Sequence, residues 1–131
     1  MAESSDPGLY VETDFILALI KDDDWLGDRA EAIYETKRDA LWTARDTLVE
    51  LLLVAYREGW NAERVVANAT ALLEVTGDTD SVLAAASHVE ENGFTPFDAL
   101  HLVNSGPSPI VSSDSSYDEF SVRIPLEPET E

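Results

Sequence analysis

Short β-favouring runs alternating with amphipathic helical stretches predict a three-layer α/β domain with a mostly parallel central sheet. Two further observations agree with this. The 131 residues are 44% apolar, enough to bury one core. The first two strand-like runs also feed directly into helices, the kind of connection that parallel strands require. The length fits one domain, residues 1–131, with an acidic, proline-containing tail from about residue 127.

Leu9-Tyr10-Val11-Glu12 reads as a short buried strand, and Thr13-Asp14 offers capping side chains before the apolar stretch Phe15 to Ile20. Asp22, Asp23 and Asp24 interrupt the pattern, and a second helix runs from Asp28 to Lys37 with Ala30, Ile33 and Tyr34 at helical spacing. Leu41, Trp42 and Thr43 form the next strand, within 40–44. Asp46 can cap the strongly apolar helix that follows to about Gly59. Asn61 opens a helix whose apolar positions Ala62, Val65, Val66, Ala69, Leu72 and Leu73 keep the i, i+3, i+4 rhythm, and Gly77 ends it. Asp80 to Glu91 is alanine-rich and helical, with Asn92-Gly93 as its stop. Thr95-Pro96 starts a last helix carrying Ala99, Leu100 and Leu102, closed by Pro107 and Pro109. A strand over 109–112, a turn or helical turn over 113–120 and an edge strand over 121–126 complete the domain. In such a sheet the ligand site lies beyond the carboxyl ends of the strands.

The composition excludes several classes. Without cysteine there is no disulfide scaffold, thiolate zinc site or Cys nucleophile. The apolar runs Phe15 to Ile20 and Leu51 to Tyr56 are both far short of the roughly 20 residues a spanning helix needs. The amino terminus is acidic where a secretory signal is basic, so a cytoplasmic protein with no membrane partner is expected. The formal charge is −19, from 27 acids against Lys21, Lys37 and six arginines. At ordinary salt this argues against an anionic nucleic-acid partner. The balance is also that of cytoplasmic proteins from salt-loving microbes, and in molar salt the Debye length shrinks to about 3 Å, so net charge no longer vetoes RNA.

Four acids sit where a fold does not need them. Glu50 lies among Leu48, Val49, Leu51, Leu52, Leu53 and Val54, in a helix that is apolar nearly all round. Burying its carboxylate costs several kcal/mol unless a partner compensates; the alternative is a side chain that reaches the surface or pairs with Arg45 or Arg57. Glu12 ends the first strand, and Asp14 two residues on serves either a metal or the helix amino terminus. Asp98 is the acid of Thr95-Pro96-Phe97-Asp98, a pattern that also fits a capping box. His101 lies one turn on, placed to touch substrate or hydrogen-bond a ligand carboxylate, while His88 reads as a surface residue. Asp114 follows Ile110-Val111-Ser112-Ser113 at a strand end, with Asp118 four residues further. Carboxylates converging on one edge of a sheet repel each other, and one or two Mg²⁺ or Mn²⁺ ions would turn such a cluster into an oxygen-ligand site.

In order, Val11-Glu12-Thr13-Asp14, Leu48-Val49-Glu50-Leu51, Phe97-Asp98-Ala99-Leu100-His101 and Val111-Ser112-Ser113-Asp114 resemble the acidic motifs of PIN domains, and the resemblance spans nearly the whole chain. It implies an α/β/α fold around a parallel sheet. It also implies a Mg²⁺- or Mn²⁺-dependent endoribonuclease leaving a 5′-phosphate and a 3′-hydroxyl, similar to the VapC-type toxins of toxin–antitoxin pairs and, from the charge, of halophilic archaeal type. Carried over, Glu12, Glu50, Asp98 and Asp114 match the catalytic acids that bind metal. Asp118 matches an auxiliary acid, and Asp14 stands where the family often has Asn or Ser. Ser112 matches the hydroxyl residue two before the last acid. Glu12 departs from the family, which has Asp there, and its extra methylene carries the carboxylate about 1.5 Å further out, against the strict octahedron Mg²⁺ demands.

The expected partners are an RNA substrate, a cognate antitoxin that covers the acidic groove, and a second copy in a homodimer, for which Trp25 and Leu26 suggest a patch. Two other readings compete. A phosphoacceptor receiver domain needs a Lys near the end of its last strand, and the only lysines here are Lys21 and Lys37. A catalytically degenerate PIN-fold protein that binds RNA or a protein partner remains open because of Glu12.

Overall fold

The computed structural model describes residues 7–21 and 24–127, so Asp22, Asp23 and the tail beyond residue 127 lie outside the described residues. Within them the chain is a mixed α/β domain of six α-helices and five short strands. β1 (Leu9–Tyr10), β2 (Leu41–Ala44) and β3 (Glu74–Thr76) form one parallel ladder with β2 in the middle. Leu9 pairs with Leu41, and Thr43 with Val75. β4 (Ile110–Ser112) and β5 (Arg123–Pro125) form a second parallel ladder.

Helices make every crossover within the first ladder. α1 (Thr13–Ile20) and α2 (Gly27–Lys37) connect β1 to β2, and α3 (Arg45–Glu58) and α4 (Ala62–Leu72) connect β2 to β3. α5 (Thr79–Asn92) and α6 (Pro96–Ser105) lead to β4, and a 3-10 helix, Ser115–Glu119, leads to β5. The strands are parallel, as expected, but the single central sheet is corrected to two ladders, with no backbone pairing between them among the described residues. Strands of two to four residues offer few ladder hydrogen bonds, so helix packing rather than pairing organises the domain.

α3 lies at the centre of that packing. Leu48, Leu51, Leu52 and Ala55 are fully buried, against Ile16 of α1, Val66 of α4 and Val82 and Ala85 of α5. The stripe follows helical spacing, which is why the sequence places this helix so well.

Several expectations change in detail. Leu9 and Tyr10 are exposed rather than buried, at 44% and 53%, because β1 is an edge strand. The ladder is prolonged by the Val11 amide, which donates to the Trp42 carbonyl at 2.9 Å, and Glu12 leaves the strand to become the N-cap residue of α1. The α4 helix ends at Leu72 rather than at Gly77, and Glu74–Thr76 turns into the third strand of the ladder. Gly77 has φ +97°, and a Cβ there would lie 3.1 Å from the Arg45 Cβ, so glycine is required at this turn. The α5 helix starts at Thr79 rather than Asp80, and Asp78 caps it, accepting from the Ser81 amide at 3.0 Å. Ala44 occupies the N-cap of α3, so Asp46 contributes only charge in the first turn.

Few of the 27 acids are neutralised. Among the described residues only Arg57, with Glu58, and Arg123, with Asp118 and Glu127, form ion pairs. Self-repulsion should therefore destabilise the fold at low ionic strength. Raising KCl from about 0.1 M to molar levels shortens the Debye length from about 10 Å to about 3 Å, and Tm should rise. An unchanged Tm across that series would show that the acids do not repel appreciably.

Candidate functional site

The chain turns from β1 into α1 at Glu12, whose extended backbone puts Thr13 at the first helical position. Thr13 is buried and directs its Oγ1 across to α3, donating to Glu50 Oε1 at 2.5 Å. Glu50 itself is exposed. The expectation of a buried glutamate is corrected: α3 has an apolar face of Leu48, Leu51, Leu52 and Ala55, and Glu50 falls off it beside the carboxyl end of β1. It pairs with neither Arg45, which reaches the Ser81 hydroxyl, nor Arg57, which faces Glu58. Glu12 and Asp14, both exposed, flank Thr13 in the chain, so a first acidic group comprises Glu12, Asp14 and Glu50 around one threonine.

A second group surrounds Tyr117. This side chain is 4% exposed, stacks on Phe94 with ring centroids 5.9 Å apart, and donates its hydroxyl to Asp98 Oδ1 at 3.4 Å. Asp98 lies in the first turn of α6 and is half-buried. Thr95 is the N-cap of that helix, with Pro96 at its first position, but its side chain makes no capping hydrogen bond, so the capping box is not formed. Asp114 caps the 3-10 helix, accepting from the Ser116 amide at 2.9 Å, while its own amide donates to Ser112 Oγ at 3.0 Å. The Ser116 amide and hydroxyl hold the Asp114 carboxyl below its ordinary range, so it stays anionic.

Tyr117 shows the opposite effect. Burial first, then the charge of Asp98, push its phenol from 10.0 up to about 12. The folded state therefore keeps a proton that the unfolded chain loses, so stability is fully present below pH 10 and falls as pH rises towards 12. Tyr117→Phe removes the titrating group and should flatten the alkaline fall in Tm between those limits. Parallel declines for the two proteins would mean the phenol is solvated.

The remaining candidates are placed differently. Asp118 is held by Arg123, Oδ1 to Nε 2.7 Å, and the same guanidinium donates to the Ser112 carbonyl at 2.9 Å. Asp118, matched by the resemblance to an auxiliary acid, is thereby tied to β5. His101 is exposed and shares a cavity of about 440 Å³ with Ser112 and Tyr117. His88 is not a free surface residue, because its ring packs edge-on against Phe94 and Phe120. Trp25, in the suggested dimer patch, is 88% exposed.

The expected convergence is not seen as one close cluster. Among the described residues no three Asp, Glu or His side chains come together closely enough to hold a metal ion. Thr13 holds Glu50, Tyr117 holds Asp98, and Arg123 holds Asp118. The donors are all oxygens, the chemistry of a hard cation, and Mg²⁺ commonly binds one or two carboxylates and completes its shell with water and substrate phosphate. Sequence reasoning missed Thr13 as a positioning group and Tyr117 altogether. The signal for Tyr117 was an aromatic three residues after an acid at a strand end.

No helix among the described residues is long and apolar enough to cross a membrane. In comparisons with known proteins, no family model matches the chain, and neither a curated protein nor a solved structure matches it significantly.

Proposed function

We propose that this chain is a PIN-like, Mg²⁺- or Mn²⁺-dependent endoribonuclease, of the kind that serves as the toxin of a toxin–antitoxin pair. The observation that carries the reading concerns two of the four acids singled out from sequence. Among the described residues, the only side-chain hydroxyls that reach across the fold to a carboxylate are Thr13, to Glu50, and Tyr117, to Asp98. Both acids are fixed by tertiary contacts, and neither is neutralised by an ion pair among the described residues. The parallel strands and their helical crossovers are compatible with a three-layer α/β/α arrangement.

In this reading Thr13 orients the Glu50 carboxylate beside Glu12 and Asp14. Tyr117 orients Asp98 while keeping its own proton, and the Ser116 amide keeps Asp114 anionic at the end of β4. One or two carboxylates at a time from Glu12, Glu50, Asp98 and Asp114 would hold the ion, with water and substrate phosphate completing its shell, and Asp14 flanks the first of these acids in the chain. A bound divalent ion supplies charge stabilisation at the scissile phosphate and lowers the pKa of an attacking water. His101 and Ser112, which line the cavity beside Tyr117, would in this reading meet the RNA strand rather than the ion.

The test is cleavage of an end-labelled structured RNA at high KCl with Mn²⁺ or with EDTA, alongside the melting temperature under the same conditions. Cutting that requires Mn²⁺, together with a Tm raised by the metal, is expected, since a ligand that binds only the folded state stabilises it by mass action. That no three acidic or histidine side chains among the described residues come close enough to hold a metal favours a second reading, a degenerate domain that binds RNA or a protein partner without cutting. No cleavage and no metal-induced rise in Tm would overturn the nuclease in favour of that reading.

A further inference from the structure

A cavity lies away from the acids described above, sharing no lining residue with them. It is a cleft of about 630 Å³ between the end of α1 and the first turns of α4, lined by Lys21, Trp60, Asn61, Arg64 and Asn68 over a floor that includes Val65. Its charge stands out against the rest of the chain. Acids outnumber bases 27 to 8, yet two of the eight bases line this cleft and no acid among the described residues does. Neither Lys21 nor Arg64 makes an ion pair among the described residues.

The local structure explains why the cleft stays open. Lys21 is the C-cap residue of α1, where the chain becomes extended and leaves the helix axis. Gly59, at φ +78°, ends α3 in a left-handed turn, and the Trp60 amide returns to the Ala55 carbonyl at 2.9 Å, which sets the half-buried indole against the core. Asn61 Oδ1 caps α4 through the Arg64 amide at 2.9 Å, and Glu90 Oε2 takes the Ala62 amide at 2.7 Å. The backbone donors of this helix end are therefore partly satisfied from within, and the anion-binding capacity of the cleft resides in two side-chain cations.

We propose that this cleft binds a phosphorylated nucleotide, free or as one unit of a single-stranded RNA, with the phosphate between Lys21 and Arg64 and the base against the Trp60 indole. The volume is within the range of small-ligand sites. Stacking on an indole is available to any base, and cations over a phosphate supply affinity that depends on salt. The Asn68 amide and the Nδ2 of Asn61 complete the lining with hydrogen-bonding groups for the ribose or the base edge. α2 provides a useful contrast: Arg29 and Lys37 line a smaller groove of about 370 Å³, which lacks an aromatic ring and a side-chain amide.

The test reads binding, not cutting, so it stands apart from the ribonuclease reading. The full chain, ¹⁵N-labelled and kept in EDTA so that no metal-dependent cleavage occurs, is titrated at moderate KCl with uridine 5′-monophosphate, uridine, inorganic phosphate and a short oligouridylate. The reporter is the Trp60 indole resonance, identified by its loss in Trp60→Phe. Uridine 5′-monophosphate or the oligonucleotide should move it in a saturable manner, uridine and phosphate far less. Lys21→Ala/Arg64→Ala should weaken Kd by at least about tenfold, and Arg29→Ala/Lys37→Ala, of the same net charge, by less than about twofold. Tighter binding of the oligonucleotide than of the monophosphate would identify an RNA strand as the ligand; equal binding would identify a free nucleotide. No movement with either, equal movement with phosphate alone, or equal weakening by the two double variants would overturn the proposal. A folded spectrum of each double variant separates lost binding from lost structure.

Discussion

Asp98→Asn is expected to reduce metal-dependent RNA cleavage by on the order of a hundredfold or more while leaving Tm within a few degrees of wild type. Asn keeps the size of the side chain and still accepts from the Tyr117 hydroxyl at 3.4 Å, so the packing of α6 against the 3-10 helix survives. It loses the charge that would attract a divalent ion. A second readout reports on the geometry independently of catalysis. The charge of Asp98 is one cause of the raised Tyr117 phenol, so the variant should move that phenol from about 12 back towards 10.0, visible as an earlier tyrosinate absorbance step. Cleavage at the wild-type rate would remove Asp98 from the active centre. An unmoved phenol would break its link to Tyr117.

Leu51→Ala should be the most damaging single change to stability, with a loss of about 2–5 kcal/mol. Leu51 is fully buried in α3, the helix that meets α1, α4, α5 and α6, so the cavity left behind is walled by several elements that cannot all collapse into it. Against a total stability of about 5–15 kcal/mol for a domain, that is a large fraction. The urea midpoint measures it, taken at molar KCl so that charge repulsion does not mask the packing term. A loss below about 1 kcal/mol would mean that the helices repack freely around the gap. Glu50→Gln, one residue earlier but exposed and held only by the Thr13 hydroxyl, should cost far less stability than Leu51→Ala, and the contrast between the two neighbours tests the assignment of the buried face.

Most helices were legible because their information is local. The i, i+3, i+4 rhythm of α4, the Gly93 stop of α5 and the Pro96 start of α6 are properties of a few consecutive residues, and the structure keeps each of them. β3 was not legible. Glu74-Val75-Thr76 is too short to announce itself, and it becomes a strand because Trp42–Ala44 lies alongside to pair with it. Glu50 was read as buried because its neighbours in sequence are leucines, although a helix turns each residue by about 100° and the core takes only one face. The acids at element ends were found, but their grouping was not. Whether Asp118 faces a metal or Arg123 depends on a residue five positions away that reaches back across the turn.

The sequence by itself determined most of the alternation of strands and helices, the apolar character of α3, the acidic composition, and three acids at element ends with Glu50 on an intervening helix, since composition, periodicity and capping chemistry act over a few residues. Only the tertiary structure decided that β1, β2 and β3 pair apart from β4 and β5, that Thr13 holds Glu50 and Tyr117 holds Asp98, and that Lys21 meets Arg64 and Trp60 across a cleft. Each of these is a contact between segments distant in the chain, and such contacts depend on how the helices pack, a property of the whole core rather than of any one stretch of residues.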